Sequence, residues 1–260
     1  MFLEERHRAI LDCLALNGRI SNAEIQERFG VSYDSAKRDL RILEEKGLLK
    51  RTHGGAISIW RAGFGGGLAF TAEERVSAGK ENDLQIAKQA VSVIQTGDVL
   101  YLTSGGIGLL MAQNLPQNLA CTIVTTSLPI AEELRKREGI TVFVTGGELD
   151  KNGSFYDSFT LDILNRLRFD KCFLTSACIS VDFGISIQKT RDLGILSAVL
   201  GNSKKRYGLY PAEKIGFASI LSVCPANQLD VLMTDWEAPE EYLSEFRELG
   251  MEVIVVNRPE

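Results

Sequence analysis

Three basic side chains lie close together in the segment VSYDSAKRDLRILEEKG (31–47), namely Lys37, Arg38 and Arg41. Arginine and lysine donate hydrogen bonds to guanine O6 and N7 and to phosphate oxygens, so such a cluster suits contact with duplex DNA. The same charges also suit a solvated helix whose cations pair with neighbouring carboxylates. The segment alone leaves both interpretations open, and its neighbours have to decide between them.

The elements that must position these cations follow the pattern of a helix-turn-helix. Residues 4–16 place apolar side chains at helical spacing, and Ser21 with a glutamate three residues later indicates the start of a short second helix that ends at Gly30. Ser32 is a predicted N-cap for the third helix, and Ser35 keeps its first turn narrow. The cations therefore belong to the leading end of a helix that can enter a major groove.

The next segment, LLKRTHGGAISIW (48–60), predicts a β-hairpin. Gly54 and Gly55 permit a tight turn, and apolar and polar residues alternate on both sides of it. Arg51 and His53 then lie at the tip of a two-stranded wing. Helices and hairpin together predict a winged helix-turn-helix over residues 1–57.

Charge distribution agrees with this prediction. The chain carries a net charge of −5, yet residues 28–53 contain seven Lys or Arg against four Asp or Glu. A local cationic patch on an anionic molecule can steer phosphate groups onto one face.

Residues 4–57 resemble the DeoR family of bacterial transcriptional regulators, because VSYDSAKRDLRILEEKGLLKRTHGGA matches the family signature without gaps. The chain departs from it at Lys37, where the family usually has arginine, and at Ala36, where it usually has isoleucine or valine. Lysine keeps the charge but loses the bidentate fork. The residues expected to contact DNA are Ser32, Tyr33, Ser35, Lys37, Arg38, Arg41, Arg51 and His53.

The remainder of the chain predicts a glycine-rich linker over 58–75 and a larger domain over 76–260. In that domain apolar β-rich runs alternate with helical patterns, which predicts a mostly parallel α/β sheet. The predicted strands are 98–103, 121–126, 141–147, 170–177, 231–235 and 252–256. Helices are predicted at 86–94 and 239–249.

Three of these strands end in small or hydroxyl residues, in the runs TSGGIG, TTS and TGG. Ligands bind beyond the carboxyl ends of such strands, and free N–H groups at a following helix start attract phosphate. Glycine turns also occur for packing alone, so each run by itself is a weak signal. Together the three runs predict a binding cleft.

Residues 73–256 resemble, more loosely, the DeoR sensor domain, whose fold is related to sugar-phosphate isomerases and CoA transferases. The resemblance implies a phosphorylated sugar or a similar small metabolite as effector. The residues expected to bind it are Thr103, Ser104, Gly105, Gly106, Thr126, Ser127, Gly146, Gly147 and Lys205. Lys205 is included because NSKK (202–205) resembles an Asp-Ser-Ser-Lys run of the family.

This domain also departs from the family. Thr103 replaces an aspartate, and Gly106 and Ile107 replace two threonines. An unpaired buried polar group costs about 1–3 kcal/mol, so the family's usual ligand would bind weakly. Either the effector differs, which we favour, or the domain only oligomerises.

The sequence thus predicts a DNA-binding regulator, expected to be a repressor of a carbohydrate or related metabolic operon and to act as a dimer or tetramer on double-stranded operator DNA. A remote alternative is a sugar-phosphate isomerase-like enzyme, but no catalytic residue, cofactor or metal site is predicted. The charged start MFLEERHRAI is unlike a signal peptide, and no run is long and apolar enough to span a membrane. Five scattered cysteines are expected to be reduced thiols of a cytoplasmic protein.

Overall fold

The computed structural model describes residues 3–17, 19–46, 48–52, 54–57 and 81–259. The chain divides into two compact units, one mainly from its amino-terminal part and one from the remainder. The predicted linker at 58–75 lies outside the described residues, and so does His53. The domain boundaries at 57 and 76 therefore stay predictions.

The described part of the amino-terminal unit contains three helices and three short strands. In chain order these are α1 (Leu3–Asn17), β1 (Arg19–Ser21), α2 (Asn22–Phe29), α3 (Tyr33–Glu45), β2 (Lys50–Thr52) and β3 (Gly55–Ile57). The capping box is present, since the Glu24 amide donates to Ser21 Oγ at 3.1 Å and the Ser21 amide donates to Glu24 Oε2 at 2.7 Å. Gly30 ends α2 in the left-handed region, at φ +64°.

The short strands form an antiparallel sheet in the order β1-β3-β2. The predicted β2–β3 hairpin is confirmed, whereas β1 was not predicted, because three residues give no measurable alternation. Gly55 packs so closely on β1 that an added Cβ would lie 2.1 Å from the Ile20 carbonyl oxygen, so this position excludes any side chain. The core beneath combines buried residues of all three helices, among them Ile10, Leu14, Ile25, Leu40 and Leu43.

The second unit contains ten strands in its described residues. They are β4 (Val99–Leu102), β5 (Cys121–Thr125), β6 (Ile140–Val144), β7 (Phe169–Leu174), β8 (Cys178–Ser180), β9 (Gly184–Ile187), β10 (Ser203–Leu209), β11 (Leu221–Cys224), β12 (Val231–Thr234) and β13 (Glu252–Val255). Seven of them form one sheet in the order β13-β12-β10-β7-β4-β5-β6, and each neighbouring pair runs parallel. The other three form a small antiparallel sheet, β11-β9-β8. The prediction of a mostly parallel α/β domain is confirmed.

Six α-helices accompany these strands in the described part of the unit. They are α4 (Glu81–Ser92), α5 (Gly106–Asn114), α6 (Leu128–Leu134), α7 (Ser158–Arg166), α8 (Arg191–Gly201) and α9 (Glu240–Glu248). Apolar side chains of α4, α5 and α6 form one core with the sheet, which includes Ile86, Met111, Ile130, Leu100, Ile123 and Met233. None of the helices that the structure describes has the length and apolarity needed to cross a bilayer.

All six strands predicted for the second unit are present, and β10 is an interior strand of the large sheet that was not predicted. Its first half carries Lys204, Lys205 and Arg206, which hide the apolar character of a strand. Its second half, Tyr207–Leu209, is fully buried between β7 and β12. The sheet context therefore overrides the local polarity of this segment.

The strand order reverses direction at β4. From β4 the chain fills one side of the sheet with β5 and β6, and then returns to fill the other side beginning with β7. In open parallel sheets, ligand crevices lie outside the carboxyl ends of the strands at such a switch point. A ligand crevice is therefore expected beside the segments that follow β4 and β7.

Candidate nucleic-acid interface and strand-end cleft

Helix α3 has one buried face and one exposed face. Ala36, Leu40 and Leu43 are buried at helical spacing. The solvent side carries the three predicted DNA-contacting cations, Lys37, Arg38 and Arg41. The structure therefore brings these cations together on one surface, within the first nine of the thirteen residues of the helix.

The first turn of α3 is held by short polar contacts. Ser32 Oγ accepts a hydrogen bond from the Ser35 amide at 3.2 Å and lies 2.9 Å from Ser35 Oγ, so Ser32 is the N-cap that the sequence predicted. Tyr33 is exposed, and Lys37 Nζ lies 4.7 Å from the centre of its ring. This cation–π contact orients Lys37 toward the start of the helix.

The remaining cations of this face are weakly engaged. Among the residues that the structure describes, Arg38 forms no ion pair. Arg41 Nε lies 3.8 Å from Glu45 Oε1, with more than half of both side chains exposed. An exposed pair of this kind contributes about 0–1 kcal/mol, so a phosphate group can replace Glu45 as the partner of Arg41.

The wing is attached to α3 through Glu44. The Arg51 amide donates to Glu44 Oε1 at 2.8 Å, and Arg51 Nη1 lies 3.6 Å from Glu44 Oε2. Arg51 is therefore held beside the exposed face of α3, whereas His53 lies outside the described residues.

Sequence reasoning missed a buried acidic residue on the same helix. Asp39 is 2% exposed, and its carboxylate accepts two hydrogen bonds from Arg6 of α1, from Nε at 2.6 Å and from Nη2 at 3.1 Å. His7 Nε2 lies 3.3 Å from the same carboxylate. The hydrogen bond to Asp39 raises the pKa of Arg6. A helical wheel would have revealed this site, because Asp39 falls on the buried stripe between Ala36 and Leu43.

In the second unit, the segment after β4 turns sharply into α5. Gly105 adopts φ +133°, a region that L side chains rarely enter, and α5 begins at Gly106. Gly108 lies so close to the end of β4 that an added Cβ would sit 2.1 Å from the Thr103 carbonyl oxygen. The first-turn amides of α5 therefore point beyond the strand ends, next to the half-buried Ser104.

The hydroxyl residues that follow β5 mainly serve packing. Thr126 and Ser127 are buried, and Thr126 Oγ1 lies 3.3 Å from the hydroxyl of Tyr101 in β4. The Thr126 carbonyl accepts from the Phe155 amide at 2.9 Å, so the segment after β6 crosses the end of β5. These buried residues thus connect β4 with the segments that follow β5 and β6.

The glycine pair after β6 also has a structural task. Thr160 Oγ1 donates to the Gly146 carbonyl at 2.8 Å, and an added Cβ at Gly147 would lie 2.6 Å from Asp157 Oδ1. Asp157 caps α7 by accepting from the Thr160 amide at 2.8 Å. Backbone hydrogen bonds from Thr160 and Glu148 lower the pKa of Asp157. Gly146 and Gly147 therefore leave the space that Asp157 and Thr160 occupy at the start of α7.

The structure does not bring Lys205 to this edge of the sheet. Lys205 is the third residue of β10, near the amino end of the strand, and its Nζ lies 3.9 Å from Glu252 Oε2 at the start of β13. A different lysine, Lys214, lies close to the carboxyl end of β7, where it donates to Thr175 Oγ1 at 3.1 Å and to the Ser176 carbonyl at 3.0 Å. The expectation for Lys205 is corrected, because the NSKK run opens β10 instead of following it.

Two residues near the segment that follows β4 were not predicted, Tyr156 and Arg191. The Tyr156 hydroxyl lies 3.0 Å from Ser104 Oγ, and the Arg191 guanidinium lies 4.3 Å from the centre of the Tyr156 ring. Arg191 Nη2 also donates to Asp150 Oδ2 at 2.7 Å. Burial opposes ionisation of Asp150, but hydrogen bonds from Ser154, Arg191 and Asn152 outweigh it and lower its pKa. Arg191 is thus held in place from two sides.

An open cavity of about 640 Å³ lies beside this arginine. Its lining combines the cations Lys151, Lys189 and Arg191 with Asp150, Asn152, Gln188 and Thr190. The cavity and the α5 amino terminus offer cations, amides and hydroxyls, which are groups that bind an anionic, hydroxylated ligand. No local pattern indicates this cavity, because its residues come from two segments about forty positions apart.

Family models match both parts of the chain. A DeoR-like helix-turn-helix domain model matches residues 6–62, and a DeoR C-terminal sensor domain model matches residues 80–236. Among solved structures, ribose 5-phosphate isomerase A from Methanocaldococcus jannaschii is 18% identical, with a TM-score of 0.37, and the match covers 51% of this chain and 53% of that one.

Curated relatives match over most of their length. The HTH-type transcriptional repressor GlcR of Bacillus subtilis is 30% identical over 265 residues, covering 100% of this chain and 99% of the relative. The lactose phosphotransferase system repressor of Staphylococcus epidermidis is 31% identical over 222 residues, covering 84% and 86%. Both DeoR domain models match this chain, and GlcR is similar to it over the full length. The chain therefore belongs to the DeoR family of transcriptional regulators.

Proposed function

We propose that the amino-terminal unit binds double-stranded operator DNA and that the chain is a repressor of a carbohydrate or related metabolic operon. The observation that carries the proposal is the exposed row of Lys37, Arg38 and Arg41 on a helix whose opposite face is buried. The names of the relatives support repression, since GlcR and the lactose phosphotransferase system protein are both described as repressors.

Each predicted contact residue has a role in this proposal. The leading end of α3 enters the major groove, where Ser32, Tyr33 and Ser35 allow close approach. Arg38 and Lys37 reach base edges, and Arg41 contacts phosphate. Arg51 and His53 of the wing contact the adjacent backbone.

The effector is proposed to be a small phosphorylated metabolite bound at the carboxyl ends of the strands. Its contacts are Ser104, Gly105 and Gly106 at the start of α5, together with Tyr156 and Arg191. Helix dipole and guanidinium both favour a phosphate group there. Thr103, Thr126 and Ser127 are buried and are proposed to shape the cleft without contacting the ligand directly. Gly146 is half-buried and Gly147 is exposed, and both are proposed to act only through the cap of α7. Lys205 is not part of the proposed site.

Control of DNA binding is proposed to work by population shift in a dimer or tetramer. The effector binds one arrangement of the oligomer better and thereby changes the spacing of two DNA-binding units. Operator half-sites lie at a fixed spacing along the DNA helix. A modest displacement of one DNA-binding unit therefore prevents the two units from contacting both half-sites at once.

DNA binding is tested by selection from a random-sequence duplex library at low salt, followed by gel-shift titration of the most enriched duplex. Saturable binding that prefers this duplex to a scrambled one supports the proposal. No enrichment of any duplex would contradict it.

Effector binding is tested by thermal shift against a panel of hexose and pentose phosphates. Stabilisation that is lost in Arg191→Ala and kept in Lys205→Ala supports the cleft. No shift with any compound in the wild-type chain would favour the alternative that the second unit only oligomerises. Aldose–ketose isomerisation of a panel compound would instead favour the enzyme alternative.

A further inference from the structure

Asp39 connects the helix that carries the DNA-contacting cations to the first helix of the chain. Its two carboxylate oxygens accept from Arg6 Nε at 2.6 Å and Arg6 Nη2 at 3.1 Å, and His7 Nε2 lies 3.3 Å away. Both partners come from α1, 32 and 33 residues earlier in the chain. The side chains of all three residues are at most 14% exposed, so these contacts form a nearly dry cluster.

Such a cluster is a poor source of stability. Taking charges out of water costs several kcal/mol per ion, and apolar residues of similar volume often stabilise a protein as well or better. The core around it is already apolar, with Ile10, Leu14 and Leu40 fully buried. Folding of this unit therefore does not explain why the buried position 39 holds an aspartate.

Geometry offers a better explanation. Contacts of Leu40 and Leu43 with the core are non-directional and tolerate small rotations and slides of α3. The paired hydrogen bonds between Arg6 and Asp39 are directional and fix one geometry. Base readout needs this precision, because a major-groove contact requires donors placed on particular base-edge atoms.

Charge adds a second reason. Asp39 is the neighbour of Arg38 in the helix, and an unpaired carboxylate there would weaken the attraction of this face for DNA. Arg6 neutralises the Asp39 carboxylate from the buried side. The negative charge of Asp39 therefore does not reduce the attraction of the exposed cations for DNA.

We propose that Asp39, through Arg6 and His7, is a positioning residue that sets the rotation and depth of α3 and thereby the sequence discrimination of DNA binding. This inference rests on the proposed function. It separates two properties of the chain: general attraction for duplex DNA, which the exposed cations provide, and preference among sequences, which also needs the cluster.

The test uses the full chain and two duplexes, namely the one most enriched by the wild-type protein from a random library and a scrambled one of the same composition. Arg6→Lys keeps the charge but loses the planar fork, and Asp39→Asn keeps the shape but loses the charge. Arg8→Lys, at an exposed position on the same helix, is the matched control. Thermal midpoints are measured for all variants.

The expected result is a loss of about tenfold or more in the preference of Arg6→Lys and Asp39→Asn for the selected duplex, with binding of the scrambled duplex within about twofold. Arg8→Lys keeps the wild-type preference. The inference is overturned if both variants keep the preference, or if affinity for both duplexes falls equally with the thermal midpoint. Failure of the wild-type chain to enrich any duplex would overturn the proposed function as well.

Discussion

Glu44 accepts a hydrogen bond from the Arg51 amide at 2.8 Å and pairs with the Arg51 guanidinium at 3.6 Å, and so it fastens the wing to α3. One carboxylate thereby sets the distance between two cationic elements. It also occupies the guanidinium that a phosphate group would use. In the proposed complex, a phosphate group would compete with Glu44 for the Arg51 guanidinium.

We expect Glu44→Gln to bind DNA more tightly than the wild-type chain. Glutamine still accepts from the Arg51 amide, but it no longer competes for the guanidinium or repels phosphate. An exposed pair is worth up to about 1 kcal/mol, which corresponds to a gain of up to about fivefold. Gel-shift titration checks this, with Glu27→Gln on α2 as the charge-matched control. Weaker binding by Glu44→Gln would show that the ion pair is needed to hold the wing.

Arg51→Ala is expected to weaken binding about equally for all sequences. A phosphate contact releases condensed counterions, so its loss should reduce the slope of log affinity against log salt by about one. The measurement is a salt titration of affinity for the selected and scrambled duplexes. An unchanged slope would mean that Arg51 does not contact the backbone.

Arg38→Ala is expected to reduce affinity for the selected duplex strongly while leaving the fold intact. The side chain is exposed and forms no ion pair among the described residues, so its removal leaves no buried group unpaired. A good base contact is worth about 1–3 kcal/mol of discrimination. Lys136→Ala, an exposed change of the same charge on the second unit, is the control. Wild-type affinity in Arg38→Ala would argue against α3 as the DNA-contacting helix.

Gly108→Ala is expected to destabilise the second unit by about 1–3 kcal/mol, because the new methyl group meets the backbone oxygen of Thr103 at 2.1 Å. Gly201→Ala is the matched control: it lies at the end of α8 with no atom within 4 Å of an added Cβ. That change should be neutral or stabilising by up to about 1 kcal/mol. Urea unfolding followed by circular dichroism compares them, and equal stability of the two variants would contradict the close approach of α5 to β4.

The cysteines are expected to react slowly with iodoacetamide at pH 8 in the folded protein. Burial raises the pKa of Cys172 to about 12 and those of Cys121 and Cys224 to about 11. The reactive thiolate is therefore scarce at that pH. Mass spectrometry of native and guanidinium-unfolded samples measures the labelling, and Cys224, which is partly exposed, should react first. Rapid native labelling of Cys172 would contradict its burial.

Local signals predicted the amino-terminal unit well because its helix ends are marked by Ser21, Gly30 and Ser32, residues whose capping chemistry acts within four positions. The cation row was equally visible. The burial of Asp39 can be read from a helical wheel, but its partners cannot, because they lie on another helix and linear spacing does not report a contact across more than thirty residues.

In the second unit, alternation of apolar runs correctly predicted the parallel sheet, whereas the binding cleft at the strand ends stays a prediction. The charged opening of β10 concealed an interior strand, and Lys205 therefore lies near the amino end of β10 and not at the carboxyl edge where the effector is proposed to bind. The pairing of Tyr156 with Arg191 depends on loops that meet only after folding. Such juxtapositions carry no local signature.

Helix α3 has two faces with different roles. Ala36, Asp39 and Leu43 are buried on one face, and Lys37, Arg38 and Arg41 are exposed on the other. Divergence can therefore alter the outward set, and with it the target, while the frame of the domain stays unchanged. A change at Asp39 is different, since it demands a compensating change on α1. The helix thus separates an evolvable surface from a constrained one.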